Sequence, residues 1–170
     1  TRKARSSDSD VAITATGESV AMIQYTSGST SRPKGVVLTH LNLLQNARGM
    51  QLHGGFDSNT IGFSWLPPYH DMGLISGLIL PMCVGYPSIL SPSKTFLRRP
   101  VSWLESISQF EVTITGAPNF AFDYCVDRIS DTEISGLSLS SLQAVFNGAE
   151  SIREQTLKRF SERFRCVGFS

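Results

Sequence analysis

The chain has 170 residues, a formal net charge of +1 at pH 7, and charged side chains at only 17% of its positions. This length is enough for one domain with a substantial core. The nearly balanced charge indicates neither a nucleic-acid partner nor an acidic membrane surface. Cys83, Cys125 and Cys166 are odd in number and far apart, which fits neither a zinc site nor a disulfide framework. We therefore expect buried free thiols in a reducing, cytoplasmic location.

The two ends of the chain carry little pattern. Residues 1–16 are polar and rich in Ser and Asp, so we expect a loop or linker there and one domain over residues 17–170. No signal peptide is recognisable, and the longest apolar stretch, residues 72–84, is too short for a stable membrane span. The sequence starts without Met and stops at Ser170, where a strand is expected to have just begun. We therefore expect a piece of a longer protein.

The first motif lies between two short apolar runs, residues 21–25 and 35–38, which we expect to form strands. The connection holds small hydroxyl residues, a glycine and a lysine, among them Thr26, Ser27, Gly28, Ser29, Thr30 and Lys34. Glycine lets backbone N–H groups approach an anion closely, hydroxyl groups add donors, and lysine adds a point charge. The pattern predicts a phosphate-binding loop, with an ordinary Ser/Gly turn of a hairpin as the alternative.

This loop differs from the nucleotide-binding loop that opens a helix, G-x-x-x-x-G-K-[ST]. Pro33 precedes the lysine, and Gly35 follows it where that motif needs Ser or Thr. Because Pro33 fixes φ and lacks an N–H group, we expect the chain to continue as a strand.

A helix is expected next. Thr39 is a good N-cap for a helix that runs to about Met50, and residues 53–55 are expected to end it. His40 lies in the first turn of that helix. A structural or solvated role is expected for His40 and for His53.

A histidine follows the next expected strand. The apolar run at residues 61–66 predicts a buried strand, and Asp71 is expected to cap a helix over residues 72–80. His70 therefore lies beyond the carboxyl end of a strand, where open α/β sheets bind their ligands. A lone histidine is more often structural, and the residues alone leave both roles open.

The second half of the chain alternates between strand and helix patterns. We expect strands at residues 88–90, 112–115 and 142–146, helices from Pro100, over 119–129 and after 150, and a polar loop at 131–141. The apolar faces of these helices are Trp103, Leu104, Ile107 and Phe110, then Phe122, Val126 and Ile129, then Leu157, Phe160 and Phe164. Ser151 and Glu154 form a capping-box pattern for the last helix, and residues 116–118 are expected to break a strand. The alternation predicts an α/β fold, layered, with a largely parallel sheet and flanking helices.

The stretch from Tyr25 to Gly35 resembles the phosphate-binding signature of the adenylate-forming enzymes, which include acyl-CoA synthetases, peptide-synthetase adenylation domains and luciferases. Their usual form is T-S-G-S-T-G-x-P-K-G, and Ser31 stands where that form has glycine. If the position needs a positive φ, a serine there costs stability or shifts the loop.

Four further stretches resemble the fatty acyl-AMP ligase branch of that superfamily. They are W-L-P-P-Y-H-D-M-G-L at 65–74, F-L-R-R-P at 96–100 followed by Trp103-Leu104, G-A-P-N-F-A at 116–121, and N-G-A-E at 147–150. The similarity runs from about Met22 to Ser170. The chain therefore resembles part of the large N-terminal domain of such an enzyme.

The resemblance implies ATP-dependent activation of a medium- or long-chain fatty acid to acyl-AMP. The acyl group would then pass to the phosphopantetheine arm of an acyl carrier protein, as in polyketide or lipopeptide synthesis. Mg²⁺ would neutralise the phosphate charge that the loop leaves.

The resemblance also implies roles for residues. Those assigned to ATP belong to the phosphate loop and to the adenine-contacting turn: Thr26, Ser27, Gly28, Ser29, Thr30, Lys34, Asn147, Gly148, Ala149 and Glu150. His70 would position the fatty-acid carboxylate. Met72, Phe120 and Phe122 are candidates for the acyl slot, with core packing as an equal alternative. No residue is assigned to a metal ion.

Two other functions stay open at this point. A CoA-forming fatty acyl-CoA synthetase shares the adenylation step, and a non-catalytic relative could bind nucleotide or acyl groups as a sensor. The glutamate, aspartate and lysine that complete the site in this family are expected beyond Ser170. We therefore expect the isolated chain to be inactive.

Overall fold

The computed structural model describes residues 14–26 and 33–170 of the chain. The chain divides into two compact units, residues 1–45 and residues 46–170. The expected linker at residues 1–16 lies mostly outside the described residues, and Thr14 to Thr16 have no regular secondary structure.

The first unit contains an antiparallel hairpin. Strand β1 (Val20–Thr26) pairs with β2 (Lys34–Thr39), and the pair closest to the connection is Thr26 with Lys34. The two strands that the sequence predicts on either side of the phosphate loop are therefore confirmed. Ser27, Gly28, Ser29, Thr30 and Ser31 lie outside the described residues.

Helix α1 (His40–Gly54) begins directly after β2. The Thr39 hydroxyl accepts a hydrogen bond from the Asn42 N–H (3.2 Å), and the Asn42 side-chain oxygen accepts one from the Thr39 N–H (3.0 Å). The predicted N-cap is thus confirmed. The helix runs four residues past Met50 and ends within residues 53–55, as predicted, and Gly55 follows it with φ of 68°, the left-handed conformation that favours glycine after a helix.

The second unit is built on a four-stranded parallel sheet. Its strands are β3 (Gly62–Ser64), β4 (Ser88–Leu90), β5 (Ile114–Pro118) and β6 (Ala144–Gly148), in the spatial order β4-β3-β5-β6. Helical segments connect them: α2 (Asp71–Leu74), a π-helix (Ile75–Ile79), α3 (Leu80–Val84), α4 (Ser93–Arg98), α5 (Val101–Phe110), α6 (Asn119–Arg128), α7 (Asp131–Ile134) and α8 (Glu154–Phe164). The predicted α/β fold with a parallel sheet and flanking helices is confirmed.

Aromatic side chains form the main core of this unit. The rings of Trp65 and Phe96 stack with centroids 3.9 Å apart, and Trp103 meets both edge-on. The indole N–H of Trp103 donates to the Thr115 hydroxyl (3.0 Å), which donates to the carbonyl of Phe63 (2.9 Å). Trp103 and Thr115 thus find partners across the neighbouring strands β3 and β5, whereas the buried indole Nε1 of Trp65 has no partner within residues 14–26 and 33–170.

Three strands of the sheet differ from the prediction, since β3 covers only residues 62–64 of the predicted 61–66, and β5 and β6 each begin two residues later than predicted. Strand β5 continues through Gly116 and Ala117 to Pro118, where a break was expected. Strand β6 ends at Gly148, two residues later than predicted. The cause is parallel pairing of the two strands, which extends to Pro118 opposite Gly148. Proline is tolerated there because it is the last strand residue.

The helix after His70 is longer than expected and contains a π-helical turn. The helix was expected to end at Leu80, but the helical run continues through Pro81 to Val84. The N–H of Leu80 donates to the carbonyl of Ile75, which is the i→i−5 pattern. Pro81 has no N–H for the carbonyl of Gly77, and the Ser88 hydroxyl donates to that carbonyl instead (3.0 Å).

The predicted capping box at Ser151 is wrong. Helix α8 starts at Glu154 with Arg153 as its N-cap and no capping side chain. A capping box does form at Ser130 and Glu133, where it opens α7 inside the stretch predicted as a loop. The pattern S-x-x-E occurs at residues 130–133 and at residues 151–154. A helix begins directly after the serine only at Ser130, so only there do the serine and the glutamate form a capping box.

The inward faces of the helices match the prediction except at three positions. Phe110 is 41% exposed and Leu157 is 38% exposed, whereas Thr156, at the i−4 position to Phe160, is buried. Val126 is only half-buried, and Cys125 takes its place in the core. A face that repeats every four residues therefore describes α8 better than the predicted one.

The cysteines also differ from the prediction. All three are free, but only Cys125 is buried, while Cys83 and Cys166 are exposed. Burial raises the pKa of the Cys125 thiol far above its usual range. Near the end of the chain, residues 165–167 form a 3₁₀-helix and Phe169 and Ser170 form no strand, contrary to expectation.

Candidate functional site

The loops that follow β3 and β6 meet at the carboxyl edge of the parallel sheet. An open depression of about 270 Å³ is lined there by Asp71, Met72, Ile75 and Ala149. The first two residues belong to the W-L-P-P-Y-H-D-M-G-L stretch, and Ala149 belongs to N-G-A-E. Two motifs that are about 75 positions apart in the sequence therefore border one cavity, at the edge where open α/β sheets bind ligands.

His70 is the N-cap residue of α2, and its side chain is about half exposed. Its Nδ1 atom lies 2.8 Å from an Asp71 carboxylate oxygen. The Met72 N–H lies 2.7 Å from that same oxygen and 3.3 Å from Nδ1. The shorter distance makes Asp71 the acceptor of the Met72 N–H, so we assign the Nδ1 proton of His70 to the bond with Asp71.

Asp71 therefore caps the helix from a different position than predicted. It is the first residue of α2 rather than the residue before it. Its carboxylate still receives the backbone N–H of Met72, and it fixes the imidazole of His70 at the same time. The Nε2 atom of the imidazole is the nitrogen that this arrangement leaves for another partner.

The N-G-A-E stretch combines a strand end with a strained turn. Asn147 and Gly148 are the last two residues of β6, and Ala149 has φ of 64°. A non-glycine residue in this left-handed conformation costs on the order of 1 kcal/mol and persists only when its surroundings hold it there. The Glu150 carboxylate accepts a hydrogen bond from the Phe120 N–H in the first turn of α6 (2.6 Å).

Asn119 belongs to the G-A-P-N-F-A stretch, but no role was predicted for it. It is 1% exposed, and its side-chain oxygen accepts a hydrogen bond from the Asn147 amide (3.2 Å). The Asn147 side-chain oxygen is buried and has no partner within residues 14–26 and 33–170. Sequence reasoning missed Asn119 because its partners lie about 30 residues further along the chain.

The acyl candidates occupy three different environments. Met72 covers the ends of β5 and β6, because a Cβ atom built on Gly116 would lie 3.4 Å from its Cε. Phe120 is 44% exposed in the first turn of α6. Phe122 is 1% exposed and packs edge-on against Trp103 and Phe160 in the aromatic core.

A second cavity, mostly apolar and about 280 Å³ in volume, lies beside the helical run that follows His70. It is lined by residues from three separate segments: Ser64, Leu66, Pro68, Gly73, Leu78, Leu90, Ser91 and Pro92. No local pattern predicts a cavity built from three segments. Gly73 lets the helix approach the preceding loop, since a Cβ there would lie only 2.2 Å from the carbonyl oxygen of Pro67.

The ends of the phosphate loop lie on the first unit. Thr26 is the last residue of β1 and Lys34 the first of β2, and both are exposed.

The part of the chain that the structure describes contains no cluster of three His, Cys, Asp or Glu residues able to hold a metal ion. In that same part, no helix has the length and apolar character needed to cross a membrane.

This chain is similar to a known protein family and to two fatty-acid ligases. The profile of a family described as AMP-binding enzyme matches residues 2–169. A medium-chain-fatty-acid–[acyl-carrier-protein] ligase of Teredinibacter turnerae is 41% identical over 153 residues, which are 90% of this chain and 24% of that protein. Another ligase of that description, from Moorena producens, is 41% identical over 152 residues, 89% of this chain and 26% of that protein.

A solved structure is also similar. The fatty acyl-adenylate ligase from L. pneumophila, in complex with acyl adenylate and pyrophosphate, matches with a TM-score of 0.87 and 46% identity, covering 92% of this chain and 28% of that one. The chain thus spans about a quarter of the length of each of these relatives.

Proposed function

This chain belongs to the AMP-binding enzyme family, and from that premise we propose that the protein carrying it activates a medium- or long-chain fatty acid with ATP. The fatty-acid carboxylate attacks the α-phosphorus, the bond to the β-phosphate breaks, and acyl-AMP and pyrophosphate form. The observation that carries the proposal is the depression where the His70 loop and the N-G-A-E turn meet at the carboxyl edge of the sheet. A fatty acid and a nucleotide must meet for this reaction, and such an edge suits that purpose.

We assign His70 to positioning the carboxylate rather than to acting as a base. A carboxylic acid has already lost its proton at neutral pH, so the reaction needs no base. Because the bond to Asp71 uses the Nδ1 proton, only an imidazolium has a second N–H, at Nε2, to hold an anionic oxygen.

We assign nucleotide recognition to two motifs, the N-G-A-E turn and the predicted phosphate loop. Asn147, Gly148 and Ala149 would contact adenine, with Glu150 holding the turn through its bond to Phe120. Thr26, Ser27, Gly28, Ser29, Thr30 and Lys34 would bind the β- and γ-phosphates. Attack of one anion on another depends on positioning and charge neutralisation, so we include Mg²⁺ on the phosphate oxygens.

The acyl chain needs an apolar path. Met72 and Phe120 are proposed to contact it near the carboxylate, because they lie at the strand ends and at the exposed first turn of α6. Phe122 is buried, and its packing in the core accounts for it without a ligand. The apolar cavity beside Gly73 and Leu78 is a candidate for the far end of the chain.

The acceptor of the acyl group is proposed to be the phosphopantetheine thiol of an acyl carrier protein. The two medium-chain ligases from Teredinibacter turnerae and Moorena producens, whose descriptions name this acceptor, support the choice. The free cysteines support a reducing compartment such as the cytoplasm.

Product analysis tests the proposal. The protein that carries this chain is incubated with ATP, Mg²⁺ and a medium-chain fatty acid, then with either free CoA or a phosphopantetheinylated carrier protein. Acyl-AMP should accumulate, the carrier protein should be acylated, and CoA should give little thioester. Abundant acyl-CoA would identify CoA as the acceptor, and the absence of both acyl-AMP and ATP–pyrophosphate exchange would overturn the adenylation step itself.

A further inference from the structure

A chain of buried hydrogen bonds runs from the surface of α8 to Asn119. Arg159 donates to one carboxylate oxygen of Asp123 (2.7 Å), and the Thr156 hydroxyl donates to the other (2.7 Å). The Asn119 amide then donates to the Thr156 oxygen (3.2 Å). Thr156 is 2% exposed and Asn119 is 1% exposed, so neither can exchange its partners for water.

The direction of each bond in this chain is determined by the one before it. An ionised carboxylate only accepts hydrogen bonds, so Thr156 must give its single proton to Asp123. The Thr156 oxygen can then only accept from Asn119, which places the NH₂ group of Asn119 toward Thr156. The Asn119 side-chain oxygen is thereby turned toward the N-G-A-E segment.

That oxygen holds both ends of the turn. It accepts from the Asn147 amide (3.2 Å) at the end of β6 and from the backbone N–H of Arg153 (3.0 Å) before α8. Between these two points, Glu150 accepts from the Phe120 N–H, which is adjacent to Asn119 in sequence. The first turn of α6 therefore fixes the turn at three places, with the strained Ala149 between them.

We propose that Asn119 is a positioning residue for the nucleotide, and that Thr156 and the Asp123–Arg159 ion pair act on the nucleotide through it. The inference rests on the proposed function, because it concerns the residues assigned there to adenine. Ala149 keeps its left-handed conformation only while its neighbours hold it. Loss of the Asn119 orientation frees the Asn147 amide and the Arg153 N–H together, and the turn relaxes away from the geometry that contacts the base.

The test uses Thr156→Val, which removes the hydroxyl with little change of volume, and Thr156→Ser, which keeps it. In the protein that carries this chain, Thr156→Val should raise the KM for ATP in pyrophosphate exchange about tenfold, as small misplacements of a binding group do. The KM for the fatty acid should stay within about twofold, and Thr156→Ser should keep both constants within about twofold.

Asp127 offers a matched control, because it is a second carboxylate partner of Arg159. Arg159 also donates to Asp127 (2.6 Å), and that bond together with the charge of Asp127 is the main cause of the raised pKa of Arg159. Asp127 contacts Arg159, the outermost member of the chain, but within residues 14–26 and 33–170 it makes no hydrogen bond to Asp123, Thr156 or Asn119. Asp127→Asn should therefore leave the KM for ATP unchanged, while Asp123→Asn, whose amide can reverse the bond to Thr156, should raise it.

The outcomes separate positioning from simple loss of folded protein. A smaller folded fraction lowers kcat but does not alter KM. The inference would therefore be overturned if the KM for ATP stayed unchanged both in Thr156→Val and in Asp123→Asn. If Thr156→Val does not fold, Asp123→Asn at the more exposed position gives the answer alone.

Calorimetric binding of ATP gives a readout besides activity. Wild-type protein that binds ATP without exchange would refute the proposed function but leave the comparison of dissociation constants valid, and no ATP binding would overturn both.

Discussion

Replacing Gly73 by alanine should displace the His70 segment and lower activity. A Cβ at this position would lie 2.2 Å from the carbonyl oxygen of Pro67 and 2.8 Å from its carbonyl carbon. Both are backbone atoms, so no side-chain rotation can relieve the contact. The two segments must separate by about 1 Å to reach ordinary van der Waals distances.

The size of the effect follows from two opposing terms. Alanine gains about 1 kcal/mol over glycine in a helix interior, while an overpacked site costs about 1–3 kcal/mol and more when backbone must move. We expect a net loss of up to about 2 kcal/mol of stability. His70 is the N-cap of the displaced helix and Asp71 is its first residue, and a shift of about 1 Å at a positioning residue can lower the rate about 100-fold.

Pyrophosphate exchange and thermal unfolding of the protein that carries this chain would measure the two effects. Gly49→Ala is the matched control, because Gly49 lies inside α1 and a Cβ there would meet nothing within 4 Å. This control should be neutral or stabilise by up to about 1 kcal/mol without loss of activity. A Gly73→Ala protein with wild-type exchange rate and wild-type melting temperature would refute the argument from close approach.

Two further predictions concern charged groups. Lys34→Ala should raise the KM for ATP in pyrophosphate exchange and leave the melting temperature unchanged, since Lys34 is exposed at the edge of the hairpin; unchanged exchange would remove Lys34 from the proposed phosphate site. Asp71→Ala removes the oxygen that receives both the Met72 N–H and the Nδ1 proton of His70, so it should lower kcat at saturating ATP by freeing the imidazole. Asp71→Asn keeps an amide oxygen for both bonds and should retain kcat, and an Asp71→Ala protein with wild-type kcat would contradict the positioning role of Asp71.

Periodicity and cap residues predicted the order of most elements, because those signals are local. Thr39 caps α1 as predicted, and Trp103, Leu104 and Ile107 face the core. The errors arose where a distant partner decides the structure. Parallel pairing with β6 extends β5 through Pro118, and the Ser88 hydroxyl lets the helical run pass Pro81.

The site could be predicted only in part for the same reason. Motifs pointed to His70 and to residues 147–150, and the structure brings Ala149 together with Asp71 and Met72 at one depression. The Asn119 contacts and the apolar cavity were not predictable, since their members are scattered along the chain and share no spacing. The S-x-x-E pattern at Ser151 is the opposite case. The local pattern predicted a capping box there, but helix α8 begins at Glu154 without one.

The sheet order also bears on how the chain folds during synthesis. The central strands β3 and β5 pair in parallel, and the hydrogen bond from Thr115 to Phe63 spans 52 positions of sequence. At ribosomal rates of about 5–20 residues per second, β3 waits about 3–10 s before β5 exists to pair with it. Phe63, which is buried in the folded chain, lacks its β5 neighbours during that interval, and contacts of such long range make folding slow afterwards. The parallel arrangement that gathers the strand ends at one edge therefore makes β3 the segment most in need of protection while the chain is being made.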